Sequence, residues 1–163
     1  MRVYLPSTFG GLESLRASAE VGPPPLYGCA VTPGLREWYA VADLEELEYV
    51  ALTEAAGVSL RLLPAGGGRR RIVLAADVPD DAVTAEPGSG RAAVRVATAV
   101  PLRRVAALHV DGHEAEGDVA AAVEALARAE AGEPDAVSAL EDAQSHELAW
   151  YAVQELDALL GAR

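Results

Sequence analysis

Arg71-Ile72-Val73-Leu74-Ala75-Ala76-Asp77 is the stretch on which the fold turns. Its apolar residues run without a break between two charged ones. A strand with one wet face alternates polar with apolar, whereas an unbroken run suits a strand covered on both faces. That reading requires helices above and below a sheet, and the flanking sequence offers them. Upstream, Leu44, Leu47, Ala51, Ala55, Val58 and Leu62 fall on one stripe at helical spacing, with Gly57 as a candidate break. Asp43 and Glu46 have the spacing of a capping box at its start. Pro64-Ala65-Gly66-Gly67-Gly68 then reads as a flexible loop.

Further upstream, Arg2 to Leu5 is a short β-type run. Ser7 or Thr8 offers a cap for a helix carrying Leu12, Leu15 and Ala19, which Gly22-Pro23-Pro24-Pro25 ends. Leu26 to Val31 reads as a second strand, and Thr32-Pro33 as a helix start with cap and N1 proline in the favoured order. Downstream, Asp77 to Gly90 is rich in turn residues, and Ala92 to Thr98 and Val105 to Val110 are strand-like around Pro101. Past Asp111-Gly112 the pattern becomes helical over Asp118–Ala131, Asp135–Ala143 and Glu155–Leu160. Leu148 to Tyr151 fits a last strand or a helix start. The expected fold is α/β: a single mixed, partly parallel sheet of five or six strands flanked by helices, with residues 1–163 forming one domain.

Composition narrows the class. The chain has 163 residues, enough to bury a sizeable core without staples. It is 51% hydrophobic but only 5% aromatic; thirty-four Ala supply the difference, and all thirteen basic side chains are Arg. No stretch is long and apolar enough for a membrane span, the start lacks the apolar region of a signal peptide, and the single Cys29 excludes an internal disulfide. A cytoplasmic location is expected. The net charge of −12 argues against binding nucleic acid or an anionic membrane. The charge is uneven: residues 113–163 hold twelve acids and two Arg, whereas residues 58–104 hold eight Arg and four acids. The acidic helices read first as a solvated face and second as a partner-binding surface.

Familiar catalytic motifs are absent. Gly66-Gly67-Gly68-Arg69-Arg70-Arg71 looks like a phosphate loop, but it precedes a strand instead of leading from one into a helix, so it reads as a loop before a basic strand start. His109, Asp111 and His113 alternate along one stretch and could ligate a metal, but Gly112 turns the chain there; a structural reading is preferred and no metal or cofactor is expected. His146-Glu147 could act as acid and base, but neighbours in sequence do not face each other on a helix. Cys29, inside an apolar run, reads as an inert core residue. Trp38-Tyr39 and Trp150-Tyr151 each begin a similar amphipathic segment, read as a recurring solution or, less simply, a duplication. Glu48, at the margin of the apolar stripe, is a weak candidate for an acid or base with a raised pKa, or else an edge residue paired with an Arg.

The positional argument reaches furthest. Ligands of parallel sheets collect beyond the carboxyl ends of strands. Here strand-like runs exit onto Ser7 and Thr8, Thr32, Asp77 and Asp111. Ser7, Thr8 and Thr32 sit at helix N-termini, where free N–H groups favour anions. If the strands are parallel, Ser7, Thr8, Thr32, Arg36 and Asp77 line one rim as a candidate ligand-binding set; otherwise the same residues are caps and turns.

Arg2-Val3-Tyr4-Leu5-Pro6-Ser7-Thr8, Ala30 to Arg36, Glu45-Glu46-Leu47-Glu48-Tyr49, Val73 to Pro79 and His146 to Tyr151 together resemble an actinobacterial family of uncharacterised proteins. The resemblance spans nearly the whole chain. It implies a cytoplasmic, single-domain protein and transfers no functional residue. Two readings of function follow. One is a non-catalytic binding or interaction domain with an unknown protein partner or self-association through Trp and Tyr anchors. The other is a small enzyme or anionic-ligand-binding domain at the strand exits.

Overall fold

A computed structural model describes residues 1–64 and 68–163. The middle of the glycine loop expected over residues 64–68 lies outside the described residues. In chain order the elements are β1 (Arg2–Ser7), α1 (Phe9–Ser18), β2 (Glu20–Val21), β3 (Leu26–Ala30), α2 (Pro33–Trp38), α3 (Leu44–Leu62), β4 (Ile72–Asp77), β5 (Val83–Ala85), β6 (Ala93–Val96), β7 (Val100–Pro101), β8 (Val105–Val110), α4 (Glu116–Glu130), α5 (Pro134–Gln144), β9 (Ala149–Tyr151) and α6 (Leu156–Gly161).

The apolar run is strand β4, and it is buried on both faces as its sequence requires. Ile72, Leu74 and Ala76 join Val3 and Leu5 of β1 against Leu12 and Leu15 of α1 and Leu156, Leu159 and Leu160 of α6. Val73 and Ala75 face the other way with Tyr4, against Leu35 of α2 and Leu47, Ala51 and Ala55 of α3. A third cluster joins Leu60 and Leu63 to Val119, Ala122 and Val123 of α4 and Ala143 of α5. Burying side chains of this size stabilises by roughly 1.5–3 kcal/mol each, which makes the two-faced strand the centre of the molecule's energetics.

The sheet itself corrects the sequence reading. It has seven strands in the order β5-β6-β3-β1-β4-β8-β9, and β2 and β7 form a separate two-stranded sheet. Every pair is antiparallel, so the expected mixed, partly parallel sheet of five or six strands is not what forms. The cause is the position of β1. Helices α2 and α3 do connect two co-directional strands, β3 and β4, as a crossover unit does. But β1 lies between them and pairs antiparallel with both, so no parallel ladder is made.

Local start signals hold. Thr8 caps α1, Thr32 caps α2 with Pro33 in its first turn, and Asp43 and Glu46 form a complete capping box on α3. Helix α3 runs through Gly57 without a break. Its stripe is rotated from the one expected: Leu44, Val58 and Leu62 are exposed, while Ala56, Ser59 and Leu60 are buried. The two Trp-Tyr segments are unlike in structure, since Trp38 ends helix α2 and Trp150 lies in strand β9. Among the described residues no helix is long and apolar enough to cross a membrane.

Candidate functional site

Antiparallel pairing divides the expected rim between opposite ends of the sheet. Along β1 and β4, Ser7 pairs with Ile72 and Arg2 with Asp77. Five residue steps along the strand separate those pairs, or about 17 Å at ~3.3 Å per step. Ile72 also pairs with Val110, which puts Asp111 at the Ser7 end. Val3 pairs with Ala30, which puts Thr32 at the Asp77 end. Ser7 and Thr8 therefore lie at the same end of the sheet as Asp111, and Thr32 at the same end as Asp77; the single shared rim does not form.

At the Asp77 end the candidates have structural partners. Thr32 is buried, accepts from the Leu35 N–H at 3.1 Å and donates to the Arg91 carbonyl. Arg36 is exposed in the last turn of α2. Asp77 accepts from Arg2 Nε at 2.9 Å, and this bond raises the Arg2 pKa above its ordinary value. Glu48 is half-buried in the same neighbourhood, facing Tyr4 and Arg2. Burial first, and then the charge of Glu48, push the Tyr4 phenol up to about 12. The Tyr4 ring meets His109 edge-on at 6.5 Å, and burial together with Arg2 lowers the pKa of His109 below its ordinary 6.5. This is a neutral Tyr–His contact between two charged groups. Neither ring is tuned toward proton transfer at neutral pH, where a general acid or base needs a pKa near 7.

The Ser7 end carries a different chemistry. Thr8 turns the chain into α1 and accepts from the Gly11 N–H at 3.1 Å, leaving the neighbouring N–H groups of the first turn free. Gly10 presents no side chain over that turn, and a Cβ on Gly11 would overlap Ser7 Oγ. Beside the turn lies a cavity of about 640 Å³, whose lining includes Thr8, Phe9, Gly10, Arg69, Arg70 and Arg163. Leu62, Leu63, Pro64, Gly68 and Glu116 complete it. Glu116 is engaged by His113 Nδ1 at 2.7 Å, and Arg163 by Glu13.

Arg70 is the unusual member. It is only 8% exposed, yet no carboxylate pairs with it among the described residues, and residues 65–67 carry no carboxyl side chain. Its Nε donates to the Asp111 carbonyl at 2.8 Å, and its guanidinium lies 5.2 Å from the centre of the Phe9 ring. Asp111 cannot neutralise it, because its carboxylate is bound by Arg71 Nε at 2.7 Å and Nη2 at 2.8 Å. Among the described residues no buried side-chain nitrogen or oxygen lacks a hydrogen-bond partner, so the remaining Arg70 N–H groups reach the solvent of the cavity, where an anion can pair with them. Arg163 reaches the same Phe9 ring, at 6.0 Å, so two guanidiniums converge beside free helix N–H groups.

The possible ligands of the His109–His113 segment are drawn apart. Asp111 is fully buried on Arg71, His113 is exposed on Glu116, and His109 packs on Tyr4. His146 pairs with Asp118 at 2.7 Å rather than with Glu147, which accepts from Tyr49 at 3.2 Å. Cys29 is buried, and desolvation with Glu54 nearby pushes its thiol up to about 12. Of the candidate residues the sequence singled out, Thr8 lines the basic cavity; Arg70, Arg163 and Phe9, which line it too, were not among them. The only local signal was the excess of Arg next to the glycine loop.

An antiparallel sheet covered on both faces, with a basic cavity at the start of its first helix, defines an α/β domain with a candidate anion site. The family of unknown function DUF6912 matches residues 1–160, and the chain belongs to that family. No curated protein and no solved structure gives a significant match to the chain.

Proposed function

We propose that this chain is a ligand-binding domain whose basic cavity captures a phosphate-type anion. One observation carries this reading: the Arg70 guanidinium, 8% exposed, has no carboxylate partner among the described residues and lines a cavity that the N-terminus of α1 also lines. Backbone N–H groups at a helix start and a fixed guanidinium are the two donors that recognise phosphate best. The surrounding charge adds support. In a chain of net charge −12, Arg69, Arg70 and Arg163 gather at one cavity instead of spreading over the acidic surface. A cytoplasmic, actinobacterial, single-domain protein is the setting in which we place this activity.

The test is thermal denaturation in rising phosphate at constant ionic strength. A site with Kd near 1 mM raises stability by about 2.7 kcal/mol at a hundredfold excess. Arg70→Gln abolishes that rise, while Arg103→Gln, in the exposed turn before β8, keeps it. Equal responses from all three proteins mean that phosphate acts only through the bulk solvent.

A second reading rests on a separate observation. Strand β9 is an edge of the sheet, and its Trp150 is 63% exposed. An open strand edge with an exposed aromatic favours pairing with another chain, whether a second copy or a protein partner. Light scattering across a concentration series tests self-association: a mass that rises with concentration in the wild type and not in Trp150→Ser supports it, and a constant monomer mass removes it.

A further inference from the structure

Building on the anion site proposed above, we infer that the ligand is a small phosphomonoester whose phosphate carries an apolar or planar body, and that Leu62 is the residue that selects for that body. The lining of the cavity is of two kinds. Arg69, Arg70 and the first turn of α1 supply charge and donors. The end of α3 supplies apolar surface: Leu62 is 51% exposed, outside the buried stripe of its helix, and Leu63 and Pro64 follow it in the same lining. A phosphate group uses only the charged part of that lining. A cavity of about 640 Å³ lies within the range of small-molecule sites, so the remaining volume is shaped for something attached to the phosphate.

Charge fixes the class of head group. Arg163 is held by Glu13, which leaves Arg69, Arg70 and the partial positive charge of the α1 N-terminus to meet the ligand, opposed by the Glu116 carboxylate that His113 engages. Two guanidiniums and a helix end outweigh that one carboxylate, and the donors they present match the several oxygens of a phosphate monoester better than the two of a carboxylate. A free metabolite and a lipid phosphate share this chemistry. The acidic surface of the chain repels an anionic bilayer, which favours the free ester.

Isothermal titration with inorganic phosphate, phenyl phosphate and a nucleoside monophosphate tests the inference. At least one of the two esters is expected to bind ~10-fold or more tighter than inorganic phosphate, the scale of one added apolar contact. Leu62→Ser, at an exposed position, is expected to erase that gain, bringing the affinity for the esters down to that for inorganic phosphate. Equal affinity for all three ligands, or a gain that survives Leu62→Ser, overturns the inference while the anion site stands. Loss of all binding in the wild type, or unchanged binding in Arg70→Gln, overturns the site and the inference together. Sedimentation with phosphatidylcholine vesicles containing phosphatidic acid separates the two sources: binding to vesicles with none to the soluble esters overturns the assignment of a free ester.

Discussion

Arg71 and Asp111 form a two-pronged ion pair, at 2.7 Å and 2.8 Å, with side chains 3% and 0% exposed. Asp111 Oδ2 also accepts from the Arg71 backbone N–H at 2.7 Å, and Arg71 Nη2 donates to the His146 carbonyl at 2.9 Å. The pair ties the start of β4 to the end of β8 and to the loop before β9. It also holds the Asp111 carbonyl where Arg70 Nε meets it.

Breaking this pair is predicted to be costly. Asp111→Ala leaves the Arg71 guanidinium buried and unpaired, a change that destabilises by about 3–5 kcal/mol. Urea unfolding followed by circular dichroism measures it. The double variant Arg71→Leu/Asp111→Leu is expected to lose less than Asp111→Ala alone, because no buried charge is left behind. A loss below about 1 kcal/mol in Asp111→Ala contradicts the burial described here.

Ser59 makes the second prediction. Its side chain is fully buried, donates to the Ser7 carbonyl at 2.8 Å and accepts from the Ile72 N–H at 3.0 Å. It thereby pins α3 to the ends of β1 and β4. Ser59→Ala strands a buried donor and a buried acceptor, for a loss of about 1–3 kcal/mol. Amide exchange at Ile72, fast in the variant and slow in the wild type, is the specific readout.

His109 sets a pH dependence. Burial, reinforced by Arg2, lowers its pKa below the ordinary 6.5, so the unfolded chain takes up the proton first as pH falls. The stability this group contributes is complete above about pH 6.5 and is lost as pH falls through the folded-state pKa. Unfolding free energies over roughly pH 5 to 6.5 are expected to fall more steeply for the wild type than for His109→Gln. Parallel slopes for the two proteins contradict the shift.

What was legible in the sequence was local. Thr8, Thr32 and the Asp43–Glu46 box cap their helices because a cap is written within four residues. The unbroken run of β4 announced two covered faces because burial on each side is a property of its own residues. Strand direction was not legible. The insertion of β1 between β3 and β4 depends on pairings such as Arg2 with Asp77, far apart in the chain, and alternation of strands and helices reads the same with or without it. The charge state of the cavity was hidden for the same reason: whether Arg70 has a partner depends on Asp111, which the chain places beside Arg71 instead. Ser7 and Thr8 were singled out by a positional rule for parallel sheets, which this sheet does not obey. Of the two, Thr8 lines the cavity, because β1 runs directly into α1 there.

Titration of the isotopically labelled protein with inorganic phosphate, followed by proton–nitrogen correlation spectra, addresses the basic cavity directly. The backbone amides of Phe9, Gly10 and Gly11 and the Arg70 Nε–H are expected to shift together and to saturate with one dissociation constant. Unchanged resonances at those four groups, or small unsaturable shifts spread over the exposed arginines, contradict an anion site at the start of α1.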